Sequence, residues 1–109
     1  MNASLAELQE MQARIQAMMM EKQQLMIQQS EIERALQELK NVSGKTYEMI
    51  GTLLIERSKD EVEKSMLERK QLIELRLESL DKNERTMRAR MKSVAEKFES
   101  SARTGRESA

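Results

Sequence analysis

The side chains with chemistry to offer in this chain are carboxylates, ammonium and guanidinium groups, and thioethers. Its 109 residues include 19 Asp and Glu, 19 Lys and Arg and ten Met, but no His and no Cys. Paired carboxylates can do acid–base work where burial or a like charge shifts one of them. Here the acidic residues sit beside basic ones at helical spacing, as in Glu74, Glu78 and Lys82, which is the pattern of a solvated helix face. Neither a Gly-rich phosphate loop nor a metal-ligand spacing occurs. No catalytic residue, no metal and no cofactor is therefore expected, and the chain is not expected to be an enzyme. What remains is the chemistry of adhesion. Thioethers are flexible and polarisable, and they recur on surfaces that accept varied apolar partners. Met1, Met11, Met18, Met19, Met20, Met87 and Met91 crowd toward the two ends of the sequence.

Long helices must position these side chains. Charged residues make up 35% of the chain, aromatics 2%, Pro is absent and Gly occurs three times, a composition of coiled coil rather than of a globule with a thick core. With Leu8 at position a, the heptad a positions are Leu8, Ile15, Lys22, Gln29 and Leu36, and the d positions are Met11, Met18, Leu25, Ile32 and Leu39. Every d is apolar, the signature of a coiled-coil seam. A second series, Met66, Ile73, Leu80, Met87 and Val94, has partners four residues on at Lys70, Leu77, Glu84, Met91 and Phe98. The polar interruptions Lys22, Gln29, Lys70 and Glu84 are expected to set register and orientation at some cost in stability. They also loosen the packing, which would let the ends of the helices splay.

Between the two periodic runs lies a different kind of sequence. Asn41-Val42-Ser43-Gly44 ends the first run, with Gly44 as a left-handed stop near the helix end. Lys45-Thr46-Tyr47-Glu48-Met49-Ile50 and Leu53-Leu54-Ile55-Glu56-Arg57 carry the aromatic and β-branched residues the rest avoids, and Gly51-Thr52 between them suits a type II′ turn or a bulge. Ser58-Lys59-Asp60-Glu61 matches a capping box at the start of the second helix. The expected architecture is mainly α: an antiparallel two-helix coiled coil with one β-hairpin at its closed end. Its helices span about residues 3–41 and 59–99, and its hairpin about 45–57, in a single domain over 1–100 followed by a flexible tail at 101–109. Each helix would be about 60 Å long at 1.5 Å per residue.

An isolated two-stranded hairpin is marginal in water. The apolar run Leu53-Leu54-Ile55 does not alternate, so both faces of the strand call for cover. Tyr47, Met49, Ile50, Leu53, Leu54 and Ile55 are accordingly the residues expected to join neighbouring subunits in a shared sheet. The apolar residues near the free ends are candidates either for the coiled-coil core or for a second adhesive surface: Leu5, Leu8, Met11, Ile15, Met18 and Met19 on the first helix, and Met91, Val94 and Phe98 on the second. Lys82, Arg85, Arg88, Arg90, Lys92 and Lys97 form a basic stretch interrupted by Glu84 and Glu96. That stretch reads as a solvated face or as a dock for an acidic protein. The zero net charge and the lack of stacking aromatics argue against nucleic acid. No basic segment followed by an apolar run opens the chain and no window spans a bilayer, so neither a signal peptide nor a membrane partner is expected, and the expected location is the cytoplasm.

The run Thr46-Tyr47-Glu48-Met49-Ile50-Gly51-Thr52-Leu53-Leu54-Ile55-Glu56-Arg57-Ser58-Lys59-Asp60-Glu61 resembles the insert of the β-type subunits of prefoldin, an aromatic–x–x–x–Gly–x–apolar–apolar–apolar segment leading into the second helix. Ala35-Leu36-Gln37-Glu38-Leu39 and the helix around Glu84-Arg85 are similar to the flanking coiled coil. The family often has Asn, Pro or Gly after the motif glycine, where this chain has Thr52. The resemblance implies an ATP-independent holdase subunit. By similarity, four β-type and two α-type subunits would form a hexamer, their hairpins pooled into a β-barrel body. The coiled-coil tips would hold unfolded client proteins and pass them to a group II chaperonin, with Arg90, Lys92 and Lys97 as possible chaperonin contacts. The competing reading is a passive coiled-coil spacer or adaptor in a larger complex.

Overall fold

The computed structural model describes residues 2–108, with side chains described from Leu5 to Arg103. Four elements follow one another: α1 (Asn2–Leu39), β1 (Thr46–Ile50), β2 (Leu53–Arg57) and α2 (Lys59–Ser108). This is the mainly helical, single-hairpin fold expected from the periodicity. The chain forms two compact units, one of Gln24–Leu77 and one of Met1–Gln23 with Glu78–Ala109.

The Gln24–Leu77 unit holds the hairpin and the helix ends that carry it. α1 stops at Leu39, where Asn41 N–H donates to Glu38 O at 3.1 Å and Val42 N–H to Leu39 O at 3.2 Å, tightening the last turn. Two carbonyls beyond the helix, those of Lys40 and Val42, accept from the Lys59 ammonium at 3.2 Å each. A cation from the start of α2 thus serves the negative end of α1. Gly44 has φ +99°, but it lies in the loop feeding β1 rather than at the helix stop expected of it. The helix ends without glycine at its stop: the tightened turn meets the Glu38 and Leu39 carbonyls, and Lys59 meets those of Lys40 and Val42 just beyond. α2 begins as its sequence predicts: Ser58 Oγ accepts from Glu61 N–H at 3.1 Å, and Asp60 and Glu61 occupy the first turn.

β1 and β2 pair antiparallel with Ile50 opposite Leu53 and Thr46 opposite Arg57. Gly51 has φ +62°, whereas Thr52 has no positive φ. A positive first corner followed by a negative second one is the type II′ geometry, whose twist matches the strands. Thr52 is thereby accommodated where a type I′ turn would have required Gly or Asn. In the same unit Ile32, Leu39, Val62 and Ile73 are buried, and Lys70 pairs with Glu33 at 3.6 Å.

In the second unit, segments of α1 and α2 bury Met11, Ile15 and Leu80. Chain direction is opposed. Met19 is approached by Arg88, and Lys22, one turn later on α1, by Glu84 and Asp81, one to two turns earlier on α2. All ten heptad positions assigned to α1 are buried or half-buried, and so are all ten on α2. Among the buried residues of α2, Val62 lies outside the expected rows, one residue before the position the seven-residue repeat projects. α2 is helical to Ser108, beyond the end near residue 99 expected from the loss of period. Losing the heptad removes a packing row, but Ser, Ala, Arg and Glu without Pro do not stop a helix.

Candidate interaction surfaces

Alternation along the hairpin divides its side chains between two faces. Thr46, Glu48, Ile50, Leu53, Ile55 and Arg57 share one, and Tyr47, Met49, Leu54 and Glu56 the other. The first face is tied to α2 at its base. Ser65 Oγ donates to Glu48 Oε1 at 2.6 Å, Arg57 Nε approaches Glu48 Oε2 at 3.0 Å, and Arg57 Nη1 lies 3.9 Å from Glu61 Oε2. The Arg57–Glu48 contact is an ion pair without a hydrogen bond from Nε, which is buried and has no hydrogen-bond partner. Thr46 Oγ1 donates to Arg57 O at 2.5 Å across the strands. These bonds leave the apolar residues uncovered. Leu53 is 66% exposed, Met49 65% and Leu54 62%. Tyr47, Ile50 and Ile55 are exposed as well, so all six residues expected to join subunits stand in solvent, on both faces of a two-stranded sheet.

The unit formed by the two ends of the chain holds the other expected surface, and the structure divides those residues. Met11 and Ile15 are 5% and 4% exposed and belong to the seam between the helices. Leu8, Met18, Met91, Val94 and Phe98 are half-buried along it. Leu5 and Met19 face solvent, as do Arg90, Lys92 and Lys97. Met20, beside the expected set but outside it, is 69% exposed. Like Leu5 and Met19, it falls outside both heptad rows. The Glu48–Ser65–Arg57 tie joins residues distant in sequence by no repeating pattern.

Where the seam is polar, the polar positions meet. Lys22 Nζ lies 3.0 Å from Glu84 Oε2 and 2.5 Å from Asp81 Oδ1, and Arg88 adds a 3.0 Å contact to Glu84 Oε1. The hydrogen bond to Asp81, then that to Glu84, raises the Lys22 pKa above its ordinary value. The Lys22 hydrogen bond lowers Asp81, and the Lys22 and Arg88 hydrogen bonds lower Glu84. Two of the four heptad interruptions, Lys22 and Glu84, are thus partners, which fixes the register of this pair of segments. Among the described residues no group of three or more His, Cys, Asp or Glu is placed to hold a metal ion, and no helix is long and apolar enough to cross a membrane.

A family model described as "Prefoldin subunit" matches residues 2–103. The chain belongs to the prefoldin subunit family. It is 32% identical over 97 residues to the prefoldin subunit beta of Methanosarcina acetivorans, covering 87% of this chain and 83% of that one. It is 30% identical over 97 residues to the prefoldin subunit beta of Archaeoglobus fulgidus, covering 87% and 84%. The crystal structure of the prefoldin beta subunit from Thermococcus strain KS-1 superposes with a TM-score of 0.79 at 24% identity, covering 92% of this chain and 90% of the other. Prefoldin is a family of non-enzymatic chaperone subunits that assemble with other prefoldin subunits, so a chain with an exposed apolar hairpin and heptad-patterned helices sits among proteins that do not work alone.

Proposed function

We propose that this prefoldin-family chain is a holdase subunit acting without nucleotide in the cytoplasm. Its hairpin joins those of two α-type and three further β-type subunits in a hexamer with a β-barrel body. The ends of its helices hold non-native proteins and release them to a group II chaperonin, with Arg90, Lys92 and Lys97 touching the chaperonin. The observation that carries this reading is the hairpin: Met49, Leu53 and Leu54 are exposed on opposite faces of one small sheet. Covering one such side chain is worth about 1.5–3 kcal/mol, and none of the described residues covers them. Assembly supplies the missing cover.

Weak, exchangeable binding at the helix ends follows from the same magnitude. One or two apolar contacts per subunit hold a client loosely, while several subunits on one platform gain avidity through effective concentration. The test is an aggregation assay without ATP, using the assembled complex and a chemically unfolded protein. The complex should slow aggregation, and deleting residues 1–12 and 95–109 should abolish the effect while native mass measurement still shows the oligomer. An intact oligomer that never slows aggregation, with or without the deletion, would make the chain a spacer and end the holdase reading.

A further inference from the structure

A thioether joins the charged side chains that meet across the seam. Met19 lies on the flank of the heptad rows, one turn before Lys22, and its sulfur accepts a hydrogen bond from Arg88 Nη2 at 3.4 Å. Arg88 is held in place for that contact. Its Nε and Nη2 donate to Glu84 Oε1 at 3.2 and 3.0 Å, and the other oxygen of half-buried Glu84 accepts from Lys22 at 3.0 Å. A thioether is a weak acceptor, whereas a guanidinium bonds best to an oxygen that carries negative charge or a strong dipole. The donor is therefore better placed than its present acceptor can use. Met19 is also 49% exposed, so a small solute reaches the sulfur. Its neighbour Met20 is more exposed, but among the described residues no such donor meets the Met20 sulfur.

We infer that Met19 is a site of reversible oxidation by peroxides, and that Arg88 captures its sulfoxide as a tie between α1 and α2. In the reaction the O–O bond of the peroxide breaks and one oxygen bonds to the Met19 sulfur. The sulfur gives up two electrons, and the other peroxide oxygen leaves, protonated, as water or an alcohol. A strongly dipolar S–O oxygen replaces the weak thioether acceptor beside a cation already in position, and charge-assisted hydrogen bonds are about twice as strong as neutral ones. Two sulfoxide epimers form, but a methionine side chain has three rotatable bonds, so either can turn its oxygen toward Arg88. The Arg88 side chain is half exposed and has room to withdraw for the added atom. Oxidation of methionine ordinarily loosens a structure, because it puts a polar group into an apolar contact. At Met19 the sign is reversed: the residue lies outside the apolar rows, and its product gains a donor. Reductases return methionine sulfoxide to the thioether, so the tie can be undone. The site stands whatever the helix ends hold.

The experiment treats the assembled full-length chain with limiting hydrogen peroxide, separates singly oxidised chains, locates each sulfoxide by fragment mass measurement and reassembles them. A sulfoxide at Met19 should slow amide exchange across Met18–Lys22 about fivefold relative to the unoxidised chain. A sulfoxide at Met20 should leave exchange there unchanged or quicken it. Arg88→Leu should remove the slowing, Arg88→Lys, which keeps a cation and a donor, should retain part of it, and treatment with methionine sulfoxide reductases should restore the original rate. Met19→Gln, whose carboxamide oxygen stands in for the sulfoxide oxygen, should exchange more slowly than Met19→Leu, and only while Arg88 is present. That comparison needs no oxidant and leaves every other methionine untouched. Peroxide that oxidises Met20 and spares Met19, a Met19 sulfoxide that exchanges as fast as the thioether, or a slowing that survives Arg88→Leu overturns the assignment.

Discussion

At the seam, Met11, Ile15 and Leu80 are covered by the opposite helix; on the hairpin, Met49, Leu53 and Leu54 are as apolar and stand in water. The two regions differ in what local folding can complete. A heptad row needs one antiparallel partner, and a chain that turns back supplies it. A two-stranded sheet has two faces and two edges, and among the described residues the chain supplies a tie from Glu48 and Arg57 to Ser65 and Glu61 at the base of one face. The seam is finished within the subunit, whereas the hairpin is left exposed on both faces, and in the proposed function other subunits cover it. Substitutions that separate the two regions therefore test whether assembly and subunit folding are independent.

The largest effect should come from the hairpin. Leu54 and Ile55 are on opposite faces of β2, so Leu54→Lys with Ile55→Lys puts a cation on each. Losing two buried apolar groups costs about 3–6 kcal/mol of association, before the cost of burying the charges. Sedimentation should show the large complex replaced by free subunits, with helical circular dichroism retained. A surviving large complex would place the subunit contacts elsewhere.

Next comes the seam. Leu80 is 3% exposed, and Leu80→Ala should cost about 2–3 kcal/mol, toward the lower end for core leucines because a two-helix seam can relax around the gap. Its thermal midpoint should fall while the subunit composition by native mass measurement stays the same. If this variant lost its partners as the hairpin variant does, the two regions would be one cooperative structure.

The heptad rows and the hairpin were legible in the sequence for one reason: period seven and β-branched content are local patterns with single solutions. Lys22, Gln29, Lys70 and Glu84 were visible as interruptions, but the pairing of Lys22 with Glu84 depends on where the chain turns. The adhesive residues near the chain ends were harder to place. An apolar residue at heptad spacing is a candidate both for the seam and for binding, and Met11 and Ile15 went to the seam while Leu5 and Met19 did not. Gly44 shows the opposite failure. Its left-handed backbone was foreseeable, but the helix ends earlier, where a tightened turn satisfies the Glu38 and Leu39 carbonyls and Lys59, distant in sequence, meets the two just beyond.

A smaller effect is expected at the base of the hairpin. Glu48→Ala removes the acceptor of Ser65 and the counter-charge of Arg57, at a cost of about 1–2 kcal/mol. Amide exchange should quicken in Thr46–Arg57, with the protection of the seam amides unchanged. Ser65→Ala, which removes one bond and leaves the ion pair, should show about half the change. Equal protection in all three proteins would mean that the strands alone hold the hairpin in place.

The smallest effect concerns pH, and it belongs to the seam alone. Asp81 and Glu84 are lowered from ordinary values of 3.8 and 4.5, chiefly by the Lys22 hydrogen bond, and Lys22 is raised from 10.5 by both carboxylates. Folding therefore favours the charged form of all three. The carboxylates contribute stability that is present above their unfolded values and disappears as pH falls through the lower folded ones. The ammonium contributes below its unfolded value and loses that contribution as pH rises through the higher folded one. Thermal midpoints should be level between these limits and decline beyond each. Lys22→Met keeps the length of the stem and removes the charge, so it should flatten both declines without altering assembly, because the hairpin contains none of these groups. An unchanged alkaline decline in Lys22→Met would assign that limb to other lysines, and the polar crossing would then set helix register without contributing to the pH response.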